Sequence, residues 1–93
     1  MNHNLWASMI GAEARFKLTG SHDDAMNLEY IEGRYYDEED KARKQWDALP
    51  EGHLKDFACV VADDTCRDIG VPRQNMLSWF LYALETFEML SEQ

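Results

Sequence analysis

Ninety-three residues carrying 18 acids against 9 bases, a net charge of -9, exclude a broadly cationic nucleic-acid binder: duplex DNA presents about one negative charge per 1.7 Å of axis and repels an acidic surface. A content of 45% hydrophobic and 12% aromatic residues excludes a disordered chain, because burying that much apolar surface offsets the entropy of ordering. The length suits one core, so a single helical domain over residues 1–93 is expected, and the scarcity of valine, isoleucine and threonine argues against a sheet.

The pattern along the chain predicts an all-α fold, a small bundle of about four helices. The first covers residues 4–19, with Leu5, Met9, Ala12 and Phe16 at helical spacing and Gly20 as its stop. Ser21 opens the second, with Asp24 three residues on as a variant of the capping box. That helix covers 22–49 and places Leu28, Ile31, Tyr35, Ala42, Trp46 and Leu49 on one face. Gly33 costs about 1 kcal/mol in a helix interior, so the segment kinks there, splits there or runs through. Beyond it, Asp37 and Lys41, Glu39 and Arg43, and Asp40 and Lys44 are acid-before-base pairs four apart, each worth about 0.2–0.5 kcal/mol to a helix. This makes the run 37–40 a solvated helix face rather than a metal site.

Pro50, Glu51 and Gly52 turn the chain into a third helix, 53–69, with Leu54, Phe57, Ala58, Val61, Thr65 and Ile69 assigned to the core. Gly70 ends it, and Pro72 suits the first turn of a fourth helix, 72–90. The fourth helix is apolar over Met76, Phe80, Ala83, Leu84, Phe87 and Leu90, a width that fits a central helix or one shared in a homodimer.

Cys59 and Cys66 are seven apart in one helix, about 10.5 Å along its axis, beyond the roughly 7 Å between Cα atoms that a disulfide tolerates. Free thiols suit a reducing cytoplasm. No signal peptide is expected, since no base precedes Arg15, and no membrane span, since Glu85 and Glu88 interrupt the apolar C-terminal stretch. Cys59, Asp63 and Cys66 share a helical face, but zinc sites pair thiolates two to four residues apart and add a second pair or histidines. His3, His22 and His53 fall near helix starts with no metal-ligand spacing. No metal, no cofactor and no catalytic residue is therefore assigned, and nothing has the form of a nucleophile elbow or phosphate loop.

Residues 62–79 resemble the helix-turn-helix family of DNA-binding domains. Cys66 lies four before the turn glycine Gly70, Ile69 and Val71 flank it, and Met76 and Trp79 follow at core spacing. A small residue lets two helices cross closely, and a glycine permits the tight turn. The resemblance implies that Arg73, Gln74, Asn75 and Ser78 face a DNA groove. Against this, Glu51, Asp56, Asp63, Asp64 and Asp68 outnumber Lys55, Arg67 and Arg73 in the surrounding segment.

In size, acidity and lack of a catalytic motif the chain is similar to the small inhibitory proteins of bacteriophages and mobile elements, such as anti-CRISPR or anti-restriction proteins. That likeness implies a non-enzymatic protein in a bacterial cytoplasm whose carboxylates occupy a cationic, nucleic-acid-binding surface of a partner protein. The residues assigned to this role are Asp23, Asp24, Glu29, Tyr30, Glu32, Tyr36, Asp37, Glu38, Glu39 and Asp40, where aromatic anchors supply contact area and charge steers the approach. A DNA-binding regulator is the alternative.

Overall fold

A computed structural model describes residues 4–92. The fold is all-α: α1 (Leu5–Thr19), α2 (His22–Asp47), α3 (His53–Ile69) and α4 (Met76–Ser91), with no strand among the described residues. The chain divides into two compact units, one up to Glu38 and one from Glu39 onward, with the boundary inside α2.

In the first unit α1 and α2 form a hairpin. Gly20 closes α1 in the left-handed region, φ 62°, and its N–H donates to the Phe16 carbonyl at 2.8 Å. The Ser21 hydroxyl caps α2 by accepting from the Asp24 N–H at 3.4 Å. The Asp24 carboxylate turns toward α1, where the Thr19 hydroxyl and the Arg15 guanidinium, 3.1 Å away, both reach it. That carboxylate therefore pins the end of α1 to the start of α2. Inside, Leu5, Met9 and Ala12 bury the α1 stripe. Tyr35, 1% exposed, meets Trp6 with ring centroids 5.7 Å apart. α2 runs as one helix across Gly33, so the segment is not split there.

In the second unit the last turns of α2 pack with α3 and α4. Gly70, φ 77°, terminates α3 in a Schellman arrangement: its N–H donates to Arg67 O at 3.3 Å, and the Val71 N–H donates to Cys66 O at 2.8 Å. α4 starts at Met76, four residues after the expected Pro72. The Asn75 N–H closes a turn onto Pro72 O at 2.9 Å. The Asn75 Oδ1 then accepts from the Ser78 N–H at 3.3 Å. A side-chain acceptor for an orphan N–H outweighs the preference of proline for the first helical position. α2 likewise stops at Asp47, short of the expected Leu49.

The core face of α3 is also not the one its large apolar residues suggest. Phe57 and Ile69 are 56% and 58% exposed, and Leu54 is exposed as well. The buried line is Lys55, Ala58, Ala62 and Cys66, joined from α4 by Leu77, Ser78, Phe80 and Ala83. Close helix crossing explains the choice, since small side chains let backbones approach to the short end of the usual 8–10 Å. Trp46 and Trp79 meet edge to face at 5.6 Å, and Trp79 meets Phe80 at 5.2 Å. The amphipathic Lys55 lies within this apolar layer. Its ammonium donates to Leu49 O at 3.2 Å and pairs with Glu51 at 2.9 Å, 5.3 Å from the Trp46 ring centre.

Candidate binding face on the second helix

The outer side of α2 in the first unit carries two rows of exposed residues at seven-residue spacing. One row is Asp23, Tyr30 and Asp37; the other is His22, Glu29 and Tyr36. Seven residues make almost two helical turns, so each row runs along the axis, and the rows lie about 100° apart. Tyr30 is 65% and Tyr36 57% exposed, and Met26, exposed to a similar degree, sits on the same side. The face points away from Tyr35, whose ring is buried on the opposite side of the helix. Tyr36 is nonetheless braced, its ring standing edge-on to Tyr35 at 5.3 Å and 85°.

Charge surrounds these rings. Asp23, Glu29 and Asp37 form no ion pair among the described residues, so of the three pairs expected over 37–44 Glu39–Arg43 and Asp40–Lys44 are made and Asp37–Lys41 is not. Carboxylates without a fixed counter-charge keep their field available to an approaching cation. Arg34, one turn beyond Tyr30, sets a single cation at the edge of the face.

Of the residues assigned from sequence, Asp23, Glu29, Tyr30, Tyr36 and Asp37 are brought together here. Asp24 is turned inward onto Arg15 and Thr19, while Glu32 and Glu38 are half-buried. Glu39 and Asp40 belong to the second unit, held by Arg43 at 3.0 Å and Lys44 at 2.9 Å. Met26 was not assigned from sequence; its position one turn from both Asp23 and Tyr30 was the available signal.

The corner between α3 and α4 places the DNA-facing set differently from the expectation. Arg73 and Gln74 lie exposed in the turn ahead of α4, not on the helix. Asn75 and Ser78 are buried, and the Asn75 amide donates to the Ser78 hydroxyl at 2.9 Å. They are turned into the corner and cap the helix, because α4 begins four residues late.

Both thiols of α3 are free, Cys66 buried and Cys59 partly so. Burial, and then the charge of Asp63, raise the Cys66 thiol above its ordinary range; for Cys59 burial acts first, then Asp63 and Asp56. Both are poor nucleophiles near neutrality, since the thiolate is the reactive form. Among the described residues no group of three histidine, cysteine, aspartate or glutamate side chains converges to hold a metal ion. No helix among them is long and apolar enough to cross a membrane. No family model, curated protein or solved structure matches the chain.

Proposed function

We propose that this chain is a non-enzymatic binding protein that engages a partner protein through the outer face of α2, and that the partner surface is basic, of the kind that otherwise holds nucleic acid. The reading rests on one observation: two exposed tyrosines on one helix side, rimmed by Asp23, Glu29 and Asp37, none of them ion-paired among the described residues. Aromatic rings bury large area at small entropic cost and dominate interface energetics. Unpaired acid steers encounter with cationic surfaces and suppresses binding to anionic ones. A small acidic inhibitor of a nucleic-acid-processing machine, such as an anti-CRISPR or anti-restriction protein, would act in this way, with carboxylates taking the place of phosphates.

Wild-type protein and a Tyr30→Ala, Tyr36→Ala, Asp37→Lys variant, immobilised in parallel, test this in a bacterial lysate at 0.1 M salt. A basic protein retained by the wild type, lost by the variant and displaced by added polynucleotide is the expected outcome. Identical retention by both would refute the assignment of this face. A mobility shift of random duplex DNA by the free protein would instead favour the regulator reading through the α3–α4 corner.

A further inference from the structure

The corner between α3 and α4 forms a half-open cleft of about 820 Å³, a volume within the roughly 300–1,000 Å³ typical of small-molecule sites. It lies wholly within the second unit and is independent of the α2 face. Val71, Pro72, Met76 and Trp79 supply apolar and aromatic lining, and Asp63, Arg67 and Arg73 supply the charges.

The sign of those charges sets the cleft apart. The chain as a whole has two acids for every base, whereas the lining has two cations for one anion. One oxygen of that anion is held at the wall, where the Trp79 indole N–H donates to Asp63 Oδ1 at 2.6 Å, and its negative charge remains there. Arg67 is paired with Asp64, which leaves Arg73, exposed in the turn and without an ion pair among the described residues. A guanidinium presents a planar fork of donors that matches a carboxylate bidentately.

The indole wall is fixed before any ligand arrives. Asp63 holds its N–H, and the rings of Trp46 and Phe80 stand edge-on to it. A rigid aromatic wall lowers the ordering cost that a ligand must meet.

We infer that this cleft binds an amphipathic organic acid, an aromatic or aliphatic body carrying one carboxylate, with Arg73 receiving the carboxylate and Val71, Met76 and Trp79 receiving the body. A free aryl acid and the C-terminus of a peptide ending in an aromatic residue present the same chemistry.

Nitrogen-15 correlation spectra of the full chain, titrated with 2-naphthoate and separately with its uncharged isostere 2-naphthamide, test the site. The expected result is saturable shifts at Gly70, Val71, Asn75 and the Trp79 indole, with the amide binding about tenfold more weakly, a loss of the size expected for a charge-assisted hydrogen bond. Arg73→Gln should weaken naphthoate about tenfold and leave naphthamide unchanged; the side chain is exposed, and the variant's own spectrum reports its fold. N-acetylphenylalanine binding more tightly than naphthoate would assign the acid to a peptide terminus, and the reverse order to a free aryl acid. Equal affinity for acid and amide, an unaltered Arg73→Gln variant, absence of shifts, or shifts confined to the Leu54, Phe57 and Val60 surface would each overturn the inference.

Discussion

Lys55 shows how one residue can belong to two environments. Its stem lies in the Trp46 layer, while its ammonium satisfies the Leu49 carbonyl and pairs with Glu51. A lysine buried among aromatics is read from sequence as a solvated base, because nothing in a one-dimensional pattern marks which carbonyl will lack a partner where α2 ends. The side chain is nearly inaccessible, whereas Glu51 is largely exposed, so the ion pair is screened on one side and the hydrogen bond with the buried stem contributes more. Lys55→Ala should therefore lower stability by about 2 kcal/mol, from a lost charge-assisted hydrogen bond and lost packing on Trp46. Lys55→Met, which keeps the stem, should lose about half as much, and Glu51→Gln under 1 kcal/mol. Urea denaturation of the three variants gives the order, and a Glu51→Gln loss equal to that of Lys55→Ala would place the ion pair first.

At the scale of the helices, the number and class of elements were legible, since Gly20, Gly70 and the 50–52 turn are local signals that act within a few residues. Both glycines take positive φ at helix ends, as that residue permits. What escaped were choices made by tertiary packing. α3 carries Leu54 and Phe57 on one side and Ala62 on another, with Ile69 at its very end, and periodicity alone admits the large residues beside Ala58. The close crossing with α4 keeps Ala58, as expected, and adds Lys55, Ala62 and Cys66, while Leu54, Phe57 and Ile69 stay exposed. The start of α4 escaped because Pro72 and Asn75 are both good opening residues, and the Ser78 N–H settled the competition. The binding face was half legible: the heptad rows were in the sequence, but the inward turn of Asp24 depended on Arg15 and Thr19 from another helix. Gly33 and Gly70 make the contrast testable. Gly33 lies mid-helix, with open space where a Cβ would go, so Gly33→Ala should stabilise by about 0.5–1 kcal/mol and raise Tm by several degrees. Gly70 also has open space but sits at φ 77°, so Gly70→Ala should cost about 1–2 kcal/mol. Thermal unfolding followed by circular dichroism reads both, and the same sign for the two variants would contradict the backbone assignment.

For the whole molecule the net charge of -9 acts in two opposite ways as salt is added. In the free chain, nine acids have no base to match them, and their mutual repulsion disfavours the compact state. The exposed ion pairs work against this, among them Lys17 with Glu13, Arg43 with Glu39 and Lys44 with Asp40. Each of these is worth only about 0–1 kcal/mol and is screened by the same ions. Repulsion among the unmatched acids therefore governs, and shortening the Debye length from about 30 Å at 0.01 M to about 10 Å at 0.1 M should raise Tm by a few degrees. A complex formed through Asp23, Glu29 and Asp37 must respond the other way, because its attraction to a basic surface is screened while the contact area of Tyr30 and Tyr36 is not. Over the same range its association rate should fall by tenfold or more, with the dissociation rate changing little. Scanning calorimetry of the free protein and stopped-flow binding of the captured partner measure the two signs separately. A Tm that falls with salt would mean that the ion pairs outweigh the repulsion. An association rate indifferent to salt would remove the carboxylates from recognition and leave the tyrosines and Met26 as the whole of the contact.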